Sequence, residues 1–270
     1  MGQQAQEKRK MFKEFAGQKA EKRIALGPAE DRKDIMTYIL RHNEPEKGMT
    51  HSEIVQNGRL LIAAGSETTA SALSGLTFYL TRTPHAYSRL TKEIRSAFRS
   101  EDEIGIRSTA RLHYLNACLE EGLRVYPPVA ETPPRISPGD TIAGHYIPAG
   151  TIISVYQWAA YHSEENFCEP DSFNPERWLP QDHPYYDDRF STDNKAAFKP
   201  FSTGSRDCIG KNLAYAEMRL IMSRLLLNFD LELVKGYEHW DETQRIYFIW
   251  EKGPLMIKLT PVRKDAAFRN

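Results

Sequence analysis

Cys208 lies in the segment 201–210, FSTGSRDCIG, where aromatic, glycine, arginine and cysteine residues have a defined spacing. The thiolate is the form of cysteine that binds metals, and a free thiol ionises near pH ~8.5. A loop that leads into a helix N-terminus offers unpaired backbone N–H groups and the positive end of the helix dipole, which both stabilise an anionic sulfur. The segment therefore predicts a tight loop that presents one thiolate as a metal ligand.

The other positions of this loop indicate how it is built. Gly204 permits a backbone conformation that a side chain would block, and Gly210 lets the following helix lie close to a flat partner. Phe201 offers an aromatic wall beside the sulfur, and Arg206 can pair with an acidic group of that partner. A thiolate bound to heme iron donates electron density and favours cleavage of the O–O bond of dioxygen.

Cys208 has two other interpretations, a structural thiol and a zinc ligand. A lone cysteine is usually structural, whereas zinc needs about four ligands, commonly from paired Cys or His motifs. The chain has 3 Cys, without a CxxC or an HExxH motif, so zinc is disfavoured. We interpret Cys118 and Cys168 as structural thiols.

A second segment that could do chemistry is 64–69, AGSETT, inside a long stretch with helical apolar periodicity. Gly65 costs this helix about 1 kcal/mol relative to alanine, and we interpret it, with Ala64, as a groove for a small molecule. Glu67 and Thr68 form either a solvated polar face or a proton relay. A threonine hydroxyl can orient water, and a nearby carboxylate can pass protons from solvent.

Charged residues near the middle of the chain form the third pattern. Glu121 and Arg124 are three residues apart, so they share a helix face. An exposed pair of this kind contributes under about 1 kcal/mol, whereas removing one partner of a buried pair costs about 3–5 kcal/mol. Arg177, in the segment 173–178, FNPERW, is a third charged residue to consider with this pair.

These segments, in this order, resemble the motifs of the cytochrome P450 superfamily. Residues 64–69 resemble its oxygen-activation motif, and residues 121–124, EGLR, resemble its Glu-x-x-Arg motif. Residues 173–178 resemble the segment whose arginine completes an ion cluster, and residues 201–210 resemble its heme-binding loop. The wording of residues 50–80 is most similar to fungal members of secondary metabolism.

The resemblance implies a role for each matched residue. Cys208 is the metal ligand of heme b, Arg206 and Arg135 pair with its propionates, and Glu67 and Thr68 are catalytic as a proton relay. The full heme-binding set is Cys208, Arg206, Phe201, Gly204, Gly210, Arg135, Ala64 and Gly65. Glu121, Arg124 and Arg177 form a buried structural ion cluster and take no part in the chemistry.

The resemblance also implies an activity and its partners. A heme-thiolate monooxygenase takes electrons from an NADPH-dependent flavoprotein reductase, activates dioxygen, and hydroxylates or epoxidises a hydrophobic small molecule. For this chain the implied substrate is a terpenoid or polyketide intermediate. Apolar segments at 61–65 and 129–132 and around Phe248 are expected to contact it. The implied location is the cytosolic face of the endoplasmic reticulum membrane.

The length of the chain bears on all these expectations. Family members are about twice as long, and the resemblance covers only their second half. We therefore expect residues 1–270 to form one partial P450 domain, without the N-terminal half and its membrane anchor. Two alternatives stay open: a truncated, inactive remnant that does not hold heme stably, and a heme-thiolate isomerase or dehydratase. Thr68 and Glu67 disfavour the latter, which needs no proton relay.

Composition sets the broad class of the protein. The chain is 40% hydrophobic and 27% charged, as is typical of a globular protein. Lys plus Arg equals Asp plus Glu at 36 each, which gives no support for a nucleic-acid partner. No run of about eighteen apolar residues is present. Few cysteines without a disulfide pattern indicate a reducing compartment.

Apolar periodicity and turn residues predict a mainly α fold with minor β structure, the C-terminal heme-binding half of the P450 fold. An initial charged helix ends near Lys22, and a capping box at Thr50 and Glu53 begins the long helix. The predicted helices are 31–42, 50–80, 84–98, 108–125 and 209–227. The predicted β segments are a small sheet in 139–154 and strands at 229–234 and 255–260, with an irregular meander over 164–207.

Overall fold

The computed structural model describes residues 3–28, 32–44 and 46–262. Its contacts divide the chain into two compact units, Met1–Glu67 and Thr68–Asn270, and the boundary falls inside one long helix. In the described ranges, no helix is long and apolar enough to cross a membrane. The expectation of one partial domain stays a prediction.

The first unit consists of helices. They are α1 (Gln3–Ala25), α2 (Ile35–Arg41) and the N-terminal part of α3 (His51–Arg82). The capping box of α3 is confirmed, because the backbone N–H of Thr50 donates to Glu53 Oε2 at 2.7 Å and Glu53 N–H donates to Thr50 Oγ1 at 3.3 Å. The 32-residue length of α3 agrees with the predicted long helix.

Over residues 68–262, the second unit is mainly helical with four small antiparallel sheets. Its helices after α3 are α4 (Pro84–Ala97), α5 (Ile106–Thr109), α6 (His113–Val125), α7 (Gln157–Tyr161) and α8 (Lys211–Asn228). Its strands are β1 (Arg135–Ile136), β2 (Asp140–Ile142), β3 (His145–Ile147), β4 (Ile152–Ile153), β5 (Phe229–Leu233), β6 (Arg245–Ile246), β7 (Trp250–Glu251) and β8 (Ile257–Pro261). The pairs are β1 with β4, β2 with β3, β5 with β8, and β6 with β7.

The fold class is as expected, but several element boundaries differ from the sequence predictions. The helix predicted over 108–125 is broken, and α6 begins only at His113. Its first turn is capped from another helix, because the carboxylate of Glu93 on α4 accepts the N–H groups of Tyr114 at 2.9 Å and Leu115 at 2.8 Å. The residues around the start of α6 do not reveal this cap, because its carboxylate comes from another helix.

The core of the second unit lies where α3, α4, α6 and α8 meet. Fully buried apolar side chains from these helices include Phe78, Leu90, Ile94, Leu115 and Leu226. The segment between α7 and α8 has little regular structure beyond three short 3₁₀ turns, as the predicted meander requires. Buried side chains such as Phe167 and Leu179, together with polar contacts, must therefore hold this segment in place instead of strand ladders.

A close approach fixes Tyr126 against α3. A Cβ added at Gly75 would lie 2.3 Å from Tyr126 Cδ1 and 2.8 Å from its Cβ. The Tyr126 ring is stacked on Trp250 at 4.6 Å and on Trp240 at 5.7 Å between centroids, and its hydroxyl donates to Gln244. These contacts therefore leave the Tyr126 ring little room to move away from an added Cβ at Gly75.

Gly75→Ala tests this packing. We expect it to lower the free energy of unfolding by about 1–3 kcal/mol because of overpacking, although alanine is the better helix former. Gly253→Ala is the matched control, since an added Cβ meets nothing within 4 Å there. It should leave the stability unchanged or raise it by up to about 1 kcal/mol. Urea unfolding measures both, and equal effects would contradict the packing argument.

Candidate functional site

Cys208 lies in a tight loop before α8, as its sequence predicts. Its N–H donates to the carbonyl of Phe201 at 2.9 Å, and its own carbonyl accepts from Lys211 N–H at 3.2 Å. Gly204 has φ +85°, which confirms that the loop needs a left-handed residue there. Ser202 also has a positive φ, at 60°, so the loop has a second left-handed position that its sequence did not reveal.

The surface around Cys208 has the features that a heme ligand loop needs. The Cys208 side chain is exposed, and so is Arg206. Ile209 is 78% exposed and Leu213 is 61% exposed. A flat apolar group over the sulfur would cover these side chains, and a guanidinium beside it suits a carboxylate. The residues present therefore fit heme.

The donor set points the same way. In the part of the chain that the structure describes, no group of three or more His, Cys, Asp or Glu residues could hold a metal ion. A single thiol suits a metal whose other ligands come from a cofactor, as in heme. Cys208 therefore lies outside any such group in the described residues, and its role as a metal ligand stays a prediction.

A buried ion cluster links α6 to the meander. Glu121, Arg124 and Arg177 each have 0% side-chain exposure. Glu121 accepts from Arg124 Nε at 2.9 Å and Nη2 at 2.8 Å, and from Arg177 Nε at 3.1 Å. Asn174 N–H and Trp178 Nε1–H each donate to the same carboxylate at 2.8 Å. Two cations thus balance the charge of Glu121, and several donors satisfy the hydrogen-bonding capacity of its carboxylate.

The two arginines also bind the backbone of the meander. Arg124 donates to the carbonyls of Tyr161 at 2.9 Å, Pro170 at 2.5 Å and Ser172 at 2.8 Å. Arg177 donates to the carbonyl of Cys168 at 3.0 Å and pairs with the carboxylate of Asp193. Guanidinium groups with several donors in a fixed plane are suited to this cross-linking. The cluster therefore shapes the irregular chain that precedes the Cys208 loop.

The sequence missed several members of this network. Asp193 is 16 positions from Arg177, and neither its type nor its spacing marks it as a partner. Trp178 and Asn174 lie within the predicted segment, but their contacts with Glu121 depend on the path of the meander. The charge of the expected cluster was a signal for a further carboxylate, because two buried arginines and one glutamate leave one positive charge without a partner.

The segment 64–69 lies on α3 and spans the boundary between the units. Ala64, Gly65 and Glu67 are exposed, and Thr68 is half-buried. A Cβ at Gly65 would meet nothing within 4 Å, so packing in the chain does not require a glycine there. The groove and proton-relay roles stay predictions.

Arg135 begins β1, opposite Ile153 of β4. Its guanidinium contacts the carbonyls of Pro133 at 3.2 Å and Pro134 at 3.3 Å, and its role toward a propionate stays a prediction. Two expected substrate segments do meet. Val129 forms an antiparallel bridge with Ile249, next to the exposed Phe248 at the β6–β7 turn.

A family model for cytochrome P450 matches residues 1–259 of this chain. The chain belongs to the cytochrome P450 family. Among similar proteins, cytochrome P450 monooxygenase aclL of Aspergillus oryzae is 47% identical over 263 residues, which cover 97% of this chain and 52% of that protein. Trichothecene C-4 hydroxylase of Trichoderma arundinaceum is 42% identical, over 94% of this chain and 51% of that protein.

A solved structure shows the fold. The crystal structure of the cytochrome P450DA heme domain superposes with a TM-score of 0.75 at 22% identity. The superposed region covers 93% of this chain and 54% of the heme-domain chain. The chain spans about half the length of the curated relatives that it matches. Family and fold together imply a heme cofactor.

Glu121→Gln tests the ion cluster. The change leaves the buried guanidinium of Arg124 without its counter-charge and Arg177 with Asp193 alone, so we expect a loss of about 3–5 kcal/mol in the free energy of unfolding. Glu232→Gln is a control, since Glu232 and Lys258 form an ion pair at 2.8 Å with side chains 67% and 63% exposed. It should have no measurable effect. A loss for Glu121→Gln as small as the control's would contradict the buried network.

The pH dependence of unfolding is a further test of this carboxylate. Burial opposes ionisation of Glu121, but the charges and hydrogen bonds of Arg124 and Arg177 and the N–H of Asn174 lower its pKa below the ordinary 4.5. Its contribution is therefore complete above about pH 4.5 and is lost as the pH falls through the lower folded value. Glu121→Gln should lack this part of the acid-dependent loss. Identical pH profiles would contradict a lowered pKa.

Proposed function

We propose that this P450 chain is the heme-thiolate part of a monooxygenase that oxidises a hydrophobic small molecule. The exposed Cys208 loop carries the proposal, because it presents one thiol among exposed apolar side chains at the start of α8. The motif order and the monooxygenase relatives support the same activity.

Heme b held through Cys208 would supply the activation of dioxygen. Arg206, exposed in the same loop, would pair with one propionate, and Arg135 with the other. Both pairings use the fork geometry by which guanidinium groups bind carboxylates. Phe201 and Gly210 would flank the cofactor, and Gly204 sets the backbone of the loop.

Proton delivery is the proposed task of α3. The reduction of dioxygen consumes protons, so a relay from solvent is needed. Thr68 Oγ1 would orient a water molecule and donate a hydrogen bond, and the exposed carboxylate of Glu67 would take up protons from solvent. Ala64 and Gly65 would leave space for dioxygen beside them.

Substrate and partners are proposed from the relatives. One of them is named as a hydroxylase of a trichothecene, and a terpenoid or polyketide intermediate is the proposed class for this P450. The bridge between Val129 and Ile249 joins two apolar segments that would contact it. An NADPH-dependent flavoprotein reductase at the cytosolic face of the endoplasmic reticulum would supply electrons.

Heme loading tests the ligand. The reduced, carbon monoxide-bound chain should show the red-shifted Soret band of a thiolate ligand. Cys208→Ser should lose that band, whereas Cys168→Ser, at a half-buried cysteine outside the loop, should keep it. A thiolate band in Cys208→Ser would overturn the ligand assignment. Absence of heme uptake by the unsubstituted chain would support the inactive-remnant alternative.

Thr68→Ala tests the relay. With a reductase and a substrate that is turned over, we expect it to lower product formed per NADPH by about tenfold or more, since general acid–base groups contribute roughly 10²–10⁴-fold. The lost electrons should appear as hydrogen peroxide. Thr81→Ala is the control on the same helix, because Thr81 Oγ1 donates to the Thr77 carbonyl at 2.9 Å. Equal coupling in both variants would remove Thr68 from the relay.

A further inference from the structure

Glu120 is a carboxylate that the proposed mechanism does not use. It precedes Glu121 on α6, and its Oε1 accepts a hydrogen bond from the Tyr215 hydroxyl at 2.8 Å. Burial raises the pKa of Glu120, and the hydrogen bond from Tyr215 and the charges of Lys211 and Arg219 only partly oppose it. A carboxylate held in a place that disfavours its charge calls for a reason.

Tyr215 connects this carboxylate to the ligand loop. Its ring lies 5.1 Å from the ring of Phe201, at 46°. The guanidinium of Arg219 lies 5.9 Å from the Tyr215 ring, and Arg219 Nη1 donates to Asn116 of α6 at 3.2 Å. The Tyr215 side chain is thus fixed at its hydroxyl by Glu120 and contacts Phe201 and Arg219 with its ring.

Phe201 in turn holds Cys208. The Phe201 carbonyl accepts the Cys208 N–H at 2.9 Å, and the Lys211 ammonium lies 6.0 Å from the Phe201 ring. Packing of the Phe201 ring on Tyr215 restrains the residue whose carbonyl binds the cysteine amide. Residues Thr203 to Ile209 are exposed, so few side-chain contacts can fix the rest of the loop.

The geometry points to Glu120 as a positioning residue for the thiolate ligand. It acts through Tyr215 and Phe201 and does not touch the sulfur itself. Glu121, the next residue, anchors α6 to the meander, so the two carboxylates tie one helix to both the meander and the loop. The purpose of this brace rests on the proposed function, whereas its existence does not.

A cleft opens beside Glu120. The cleft has a volume of about 510 Å³, and its walls include His113, Asn116, Trp178 and Glu120 itself. Water in a polar cleft can hydrate a carboxylate oxygen that the protein does not bind. Water in the cleft can therefore reach the Glu120 carboxylate while its Oε1 accepts the hydrogen bond from Tyr215.

Hydrogen exchange of the Cys208 amide tests the brace without heme. We expect Tyr215→Phe and Glu120→Ala each to raise the local exchange rate by about tenfold, the effect of losing one hydrogen bond. The double variant should be no faster than either single variant, because both remove the same interaction. Glu120→Gln keeps an acceptor oxygen, so its rate should stay within about twofold of the unsubstituted chain.

Tyr79→Phe is the matched control. Tyr79 donates the same type of hydrogen bond, to Asp241 Oδ2 at 2.9 Å, and its loss should leave the Cys208 amide unchanged. An unchanged Cys208 rate in Tyr215→Phe would overturn the inference. So would equal acceleration throughout residues 68–262, which would show general loosening, and so would a Glu120→Gln variant as fast as Glu120→Ala.

Heme-loaded protein gives an independent second measurement. The same variants should convert from the thiolate-ligated to the neutral-ligand carbon monoxide spectrum about tenfold faster than the unsubstituted chain, with Tyr79→Phe unchanged. Unaltered conversion alongside a faster Cys208 amide would contradict the positioning role. If the unsubstituted chain shows no thiolate spectrum, the proposed function fails, and the exchange rates still decide whether the brace exists.

Discussion

The carboxylate of Glu121 is the constraint on which the second unit depends. Its charge is fully buried, and donors from α6 and from the meander converge on it. An unpaired charge in that place would cost several kcal/mol, so folding must bring these donors together. A segment with almost no regular structure thereby acquires one defined path.

That path decides where the ligand loop begins. Arg124 fixes the carbonyls of residues 161, 170 and 172, and Arg177 fixes that of residue 168 and the carboxylate of Asp193. The chain then enters the 201–210 loop, where one glycine and one serine adopt left-handed conformations. In our account, Glu120 holds Phe201, the first residue of this loop, through Tyr215 of α8. Adjacent residues of one helix thus act on the meander that leads to the loop and on the first residue of the loop itself.

The sequence predicted those parts of this arrangement that depend on local chemistry. These parts depend on residues that are near one another in the sequence. They are the capping box at Thr50, the long α3, the left-handed Gly204 and the pairing of Glu121 with Arg124. It did not predict what depends on tertiary contacts. The cap on α6 comes from Glu93 on another helix, and Asp193 reaches Arg177 only because the meander turns back. Tyr215 and Glu120 are 95 positions apart, and no periodicity links them.

X-ray absorption at the iron edge of the heme-loaded chain tests the central claim most directly. That claim is that the braced loop presents Cys208 as a thiolate ligand of heme iron. The account predicts a sulfur scatterer at bonding distance in the unsubstituted chain and its loss in Cys208→Ser. A first shell of nitrogen and oxygen alone in the unsubstituted chain would contradict the account.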